Sequence, residues 1–216
     1  MKKIVKSIIN LILFILIVSF SILFLVYNVF YPMQYKEEIL KYSKEYEIDP
    51  YLVYAIINVE SRFNPDVESG AKARGLMQIR EITANWAKEH IELEELNEED
   101  YFKPDTNIKI GCWYLSKLSD MYSGDIKKIA ASYNAGTGNL DKWVKEGKDI
   151  ENYDIPFPET KEYVRKVEEN LEVYKVLYGD DYTKDDLISA ISKIVKLITE
   201  KAFDKTIELI EDINNK

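Results

Sequence analysis

From Ser7 to Tyr35 the chain carries no charged residue. The heart of that run, residues 8–30, is dense in Ile, Leu, Phe and Val. Twenty-odd apolar residues wound into a helix at ~1.5 Å each cover the ~30 Å hydrocarbon core of a bilayer. The run therefore predicts a transmembrane helix. A secretory signal has a shorter apolar region, about 7–15 residues, closed by a small-residue cleavage site. Neither feature is present, so an uncleaved signal anchor is expected. Lys2, Lys3 and Lys6 precede the apolar span of residues 8–30, and no base stands immediately after that span. The positive-inside rule then puts the N-terminus in the cytoplasm and the body of the chain outside the cytoplasmic membrane. Tyr27, Tyr31 and Tyr35 gather at the outer end, where amphipathic rings favour the interface. The few residues from Pro32 to Tyr35 are too short for a flexible tether, which predicts a body held close to the membrane.

No acid occurs before Glu37, so the rest of the chain has 26 bases (29 less the three lysines) against all 38 acids. That is a formal charge of −12, which argues against nucleic acid and against a polybasic grip on anionic lipid. Cys112 is the only cysteine, so no intrachain disulfide can form. It reads as a small core residue. His90 is the only histidine and no His/Cys cluster has metal-ligand spacing, so no metal and no cofactor are expected.

Beyond the anchor the apolar pattern is helical throughout, with no convincing strand run, which predicts a mainly α domain. Residues 36–46 form a first helix with Ile39, Leu40 and Tyr46 on its apolar side. Asp49-Pro50 then gives an N-cap followed by proline at the first helical position. The helix so begun runs to about Arg62 and ends in the Asn64-Pro65 turn. Glu92 to Asp100 reads as an acidic, solvated linker. Residues 104–122 are helical, with Ile108, Cys112, Leu115 and Met121 on one side and Asp105-Thr-Asn-Ile as a capping segment. A helix from Asp125 ends at Asn134-Ala135-Gly136, where Gly136 and Gly138 are expected to supply positive φ. Leu140, Trp143 and Val144 mark a short amphipathic helix, and residues 159–178 a long one. After a break at 179–183, Thr183 and Asp186 suggest a capping-box variant. Leu187, Ile191, Ile194 and Ile198 form one stripe, and Phe203, Ile207 and Ile210 an offset one. This tail is either one long helix or a hairpin broken near Lys201. Its ordinary role is packing on the body; a partner-binding helix is the alternative, without a specific motif. The division expected is 1–35 anchor, 36–178 globular domain, 179–216 helical extension.

The second helix carries the chemistry. Leu52, Val53, Ile56, Ile57 and Val59 recur at helical spacing, and Glu60 falls on the same face. A carboxylate without a partner against apolar surroundings resists ionisation, which a general acid near neutral pH requires. A solvated helix-end Glu, or one paired with Arg62 or Arg74, is the competing reading.

Four segments occur in order: E-S-R-F-N-P at 60–65, G-L-M-Q-I at 75–79, S-Y-N-A-G at 132–136 and P-E-T-K-E-Y-V at 158–164. Together they resemble the signature of the lytic transglycosylase domains that cleave bacterial peptidoglycan, the soluble-lytic-transglycosylase (SLT), goose-lysozyme-like family. The resemblance covers residues 39–178. It implies a lysozyme-like fold and a carbon–oxygen lyase that opens the β-1,4 bond between N-acetylmuramic acid and N-acetylglucosamine. Most glycosidases use two carboxylates; this family works with one, which closes a 1,6-anhydro ring, and by position that residue is Glu60. Ser69, Met77 and Gln78 are implied as sugar contacts, Asn134 as another, with Tyr133 and Tyr163 around Glu60. The Gly-rich loop is implied to line the cleft, where glycine permits close approach to a ligand. Peptidoglycan strands become the implied partner, at the cell membrane and facing the wall. Since the wall is itself acidic, affinity must come from contacts in a groove.

The segment departs from the family in one place. Met-Pro usually follows G-L-M-Q-I, whereas Arg80-Glu81 stands here, which alters the subsite or offers a cation to a substrate carboxylate. Asp66, Glu68 and Glu81 leave open a hydrolase, should one of them hold a water opposite Glu60. A non-catalytic wall-binding scaffold is the third reading.

Overall fold

The computed structural model describes residues 2–93, 96–179 and 183–214, the last stretch by backbone alone from Lys201 onward. The chain divides into two compact units, Met1–Gln34 and Tyr35–Lys216. The first is helix α1 (Lys2–Leu25), prolonged by a wider π-type turn at Val26–Phe30. Residues Lys6–Phe30 form a helix long and apolar enough, by length and composition, to cross a membrane.

The second unit holds α2 (Lys36–Glu45), α3 (Pro50–Glu60), α4 (Glu81–Lys88), α5 (Pro104–Tyr122), α6 (Ile126–Ala135), α7 (Thr137–Lys145), α8 (Pro158–Tyr178) and α9 (Lys184–Asn214). No strand occurs among the described residues; two isolated bridges, Glu68 to Arg74 and Arg74 to Ile79, pinch the loop between α3 and α4.

Helix α3 is the axis of the unit. The Asp49 side chain caps it by accepting from the Tyr51 amide at 2.9 Å, with Pro50 in the first turn. Every residue from Leu52 to Ile57 is buried, so the helix is enclosed all round, against α8 and α2. It stops at Glu60, short of Arg62, because Arg62 and Phe63 both take left-handed backbone conformations, φ 52° and 63°. Phe63 turns inward there and packs beside Tyr54, ring centroids 6.1 Å apart.

Helix α8 joins the two halves of the unit by packing on α3, α6 and α9, while α5 packs on α2, α4 and α6. Several sequence expectations change in detail. Leu40 and Met121 face solvent, and Tyr42, Ile110, Trp113 and Leu118 take the core positions. Gly136 has φ +86°, but Gly138 lies in the first turn of α7 without a positive φ. The acidic linker is more ordered than its charge suggests. Residues Glu98–Phe102 make a 3₁₀ turn under an Asn97–Asp100 capping box, and Tyr101 is buried. Glu94 and Glu95 of that linker lie outside the described residues.

The tail is one continuous helix, not a hairpin. Thr183 and Asp186 form the reciprocal cap, their amides donating to each other's side-chain oxygens at 2.8 and 3.2 Å. Ala190 is buried, and Lys193 pairs with Glu172 of α8. Leu187 and Ile191 stay exposed, while Ile194 and Ile198 of the same stripe are half-buried. The second stripe, Phe203, Ile207 and Ile210, lies outside the described side chains.

Candidate active site

Glu60 is the last residue of α3, half-buried, with its carboxylate facing the aromatic side chains of α6 and α8. The Tyr163 hydroxyl donates to Glu60 Oε1 at 2.8 Å. No base among the described residues comes within ion-pair distance: Arg62 is exposed, and Arg74 is committed to Glu68 and Glu98 at 3.4 and 3.2 Å. Burial therefore dominates and pushes the carboxyl up from 4.5 to about 7, while the Tyr163 hydrogen bond pulls the other way. Burial, and then the nearby Glu60 charge, hold the Tyr133 and Tyr163 hydroxyls well above the ordinary phenol range. Both phenols stay protonated and can only donate or accept hydrogen bonds.

The wall beside Glu60 is the loop Gly75–Ile79, and it is held by its backbone. Ser61, the residue after Glu60, donates through Oγ to the Leu76 carbonyl at 2.7 Å. The Met77 amide donates to Asn107 Oδ1 at 2.7 Å, and the Met77 carbonyl accepts from the Tyr133 hydroxyl at 2.7 Å. Asn107 Nδ2 also donates to the carbonyls of Arg74 and Tyr101, at 2.8 and 2.7 Å. With 1 % of its surface exposed, this one amide satisfies three buried backbone groups. The capping role expected for its segment is therefore corrected. Asn107 caps nothing of α5 and instead fixes the loop to it.

A family model described as the transglycosylase SLT domain matches residues 37–155, a stretch holding Glu60, the loop, Asn107 and Tyr133. The chain belongs to the SLT family. It is 36 % identical over 141 residues to a putative soluble lytic murein transglycosylase of Haemophilus influenzae, covering 63 % of this chain and 24 % of that protein. The soluble lytic murein transglycosylase of Escherichia coli K12 is 32 % identical over 168 residues, covering 74 % of this chain and 25 % of that one. Membrane-bound lytic murein transglycosylase C of Serratia proteamaculans is 31 % identical over 123 residues, covering 50 % and 32 %. Among solved structures, the 70 kDa soluble lytic transglycosylase of E. coli superposes with a TM-score of 0.66 at 31 % identity, over 69 % of this chain and 25 % of that one. An inactive Glu-to-Gln mutant of lytic transglycosylase Slt from Pseudomonas aeruginosa gives 0.63 at 30 %, over 70 % and 25 %. The chain spans about a quarter of the length of the soluble relatives it matches. The shared part has the lysozyme-like helical fold.

Within this SLT domain a cavity of about 540 Å³ adjoins the Glu60 site. Gln78, Tyr133 and Asn134 line it, joined by Arg80, Ile82 and Trp86 on one wall and Gly136 to Gly138 on the other. Gln78 stands at φ 49°, its side-chain amide donating to the carbonyls of Val67 and Gly75 at 3.0 and 2.9 Å. Asn134 is exposed and accepts from the Thr160 hydroxyl at 2.7 Å.

Two implied sugar contacts lie elsewhere. The Met77 side chain has no exposed surface; it fills the space over Gly111, where an added Cβ would sit 2.2 Å from its sulfur. Met77 reaches the site through its backbone only. Ser69 is not among the cavity's lining residues; its Oγ accepts from the Ala73 amide at 3.1 Å and closes the turn at 69–73. Gly75 is likewise required by the protein and not by a ligand. At φ +74° its missing Cβ would lie 2.4 Å from the Tyr101 carbonyl and 2.5 Å from Asn107 Nδ2. Sequence reasoning did not single out Tyr114, which lines the cavity with its hydroxyl pushed up to about 12 by burial. It also passed over Thr160, although that residue lies inside the P-E-T-K-E-Y-V segment.

Among the described residues no cluster of His, Cys, Asp and Glu could hold a metal ion. Cys112 is free and buried, its thiol pushed well up by burial, hence inert.

Proposed function

We propose that the chain is a membrane-anchored peptidoglycan lytic transglycosylase in which Glu60 serves first as acid and then as base. The observation that carries this reading is the carboxyl of Glu60, without a cation, raised to about 7 and oriented by Tyr163. At neutral pH a large fraction of Glu60 holds a proton, as the first step requires. That proton passes to the glycosidic oxygen between N-acetylmuramic acid and N-acetylglucosamine as the C1–O bond breaks. The substrate's N-acetyl group stabilises the cationic centre. The carboxylate then takes the proton of the C6 hydroxyl while that oxygen bonds to C1, closing the 1,6-anhydro ring. Glu60 ends as it began, protonated, and no water is consumed.

The surroundings favour one carboxylate over two. Glu68 is tied to Lys72 and Arg74 at 3.3 and 3.4 Å, and the field of Glu81 is felt at Tyr101. Asp66 acts on Tyr35, and none of the three contributes to the Glu60 shift. Gln78, Tyr133 and Asn134 are the sugar contacts in this reading, and Tyr163 positions the acid. Helix α1 anchors the enzyme, its N-terminal lysines in the cytoplasm and residues 36–216 facing the wall.

The test is mass spectrometry of purified peptidoglycan digested with the detergent-solubilised chain. Muropeptides lighter by one water than reducing-end products support the single-acid route. Reducing ends would replace it with hydrolysis. Intact strands that still bind the protein would leave the scaffold reading.

A further inference from the structure

Resting on the reading of the site as a peptidoglycan groove, we infer that Arg80 determines specificity by binding a free carboxylate on the peptide stem of the strand. Among the described residues, Arg80 is the only charged one lining the cavity beside the Glu60 site. It follows the loop directly, at the extended N-cap position of α4 (φ −91°, ψ 152°), and is exposed. The contrast with other arginines of this acidic chain is chemical. Arg74 holds Glu68 and Glu98, and Arg165 holds Glu162 and Glu169, whereas Arg80, like the exposed Arg62 just after α3, holds no carboxylate among the described residues; of these two, Arg80 is the one that lines the cavity. A guanidinium left open at a cavity wall is a fork of donors with the geometry of a carboxylate. Beside it stand Ile82, 71 % exposed, and the half-buried Trp86. A cation next to an apolar strip suits a short peptide that alternates methyl side chains with carboxylates, as peptidoglycan stems do. N-acetylglucosamine offers neither group, and in a strand that bears stems the lactyl carboxylate of N-acetylmuramic acid is consumed in the amide bond to the stem. Since Tyr133 lines this cavity and also feels the Glu60 charge, a stem bound here would lie next to the scissile bond.

The ligands for the test are soluble glycan oligomers of equal length in three forms: stems with free carboxylates, stems with amidated carboxylates, and no stems. Binding is measured to the full chain in detergent, carrying Glu60→Gln throughout to keep ligands whole, with and without Arg80→Gln or Arg80→Lys. Arg80→Gln should weaken the free-acid form about tenfold and the amidated form less than twofold, as expected for one charge-assisted pair. Arg80→Lys should recover part of the loss. An equal loss on both stem forms, no loss on either, or no binding to any form overturns the assignment. So does a tenfold loss on peptide-free strands, which would place the lactyl carboxylate at Arg80 instead. The mass of the recovered ligands reports on Glu60 separately. Strands cut despite Glu60→Gln would count against the proposed acid while leaving the Arg80 comparison intact.

Discussion

The side-chain oxygen of Asn107 and the backbone amide of Met77 meet at 2.7 Å across thirty residues of sequence, and through them α5 sets the wall beside Glu60. Asn107→Ala would strip partners from three buried backbone groups at once. A loss of about 3–5 kcal/mol is expected, at the upper end for a single substitution. Denaturant unfolding of the detergent-solubilised chain measures it. A loss below about 1 kcal/mol would mean water replaces the amide and the clamp is unimportant.

The hydrogen bond from Tyr163 lowers the Glu60 pKa against the larger effect of burial. Tyr163→Phe should therefore move the alkaline limb of the pH–kcat/KM profile upward from its position near 7, and reduce the rate about tenfold. A limb that stays put or moves down would remove Tyr163 from the site's electrostatics.

Glu60 should also cost the domain stability. Unfolded, the carboxyl titrates near 4.5; folded, near 7. The folded form holds the proton more tightly between those values, so its contribution is fully present below 4.5 and is gone by about pH 7. Glu60→Gln, which cannot ionise, should be the more stable protein at pH 8, by on the order of 2 kcal/mol once solvent access to a half-buried group is allowed for. The advantage should fade toward pH 4. Parallel unfolding curves for the two proteins at pH 4 and 8 decide it; a gap that does not change with pH would place the carboxyl in its ordinary range.

Gly75 and Gly138 should respond in opposite ways to alanine. At Gly75 a methyl group meets backbone at 2.4 Å in a left-handed conformation, so Gly75→Ala should lose about 2–4 kcal/mol. At Gly138, in the first turn of α7, nothing lies within 4 Å, and alanine should be neutral or stabilising by up to ~1 kcal/mol. Thermal melts of both variants check the pair, and similar shifts would contradict the packing around Gly75.

Local rules made much of this legible. Asp49-Pro50 announced the start of α3, the apolar period placed Glu60 on its inner face, and Thr183 with Asp186 marked the start of α9. What stayed hidden depends on contacts far apart in sequence. Nothing local says that Asn107 serves residues 74, 77 and 101, or that Gly111 exists to admit Met77. The same cause explains the misplaced Met77 side chain. Its motif marks where the loop passes, but only the presence of Gly111 opposite decides that the thioether turns inward while the peptide faces the site. Ser69 is placed for a local reason, since its hydroxyl, four residues from the Ala73 amide, accepts from that amide and closes the turn.

Of the four backbone groups of Leu76 and Met77, three are each taken by a different part of the molecule: Ser61 after α3, Asn107 on α5 and Tyr133 on α6. A segment without a helix of its own is thereby denied any private motion. Its amide at Met77 should exchange with deuterated solvent as slowly as those of the enclosed helices, because releasing it requires the helices themselves to come apart. In the function proposed for this chain, the wall beside Glu60 would then keep its shape on the timescale of turnover, and adjustment to an incoming strand would fall to the exposed rim.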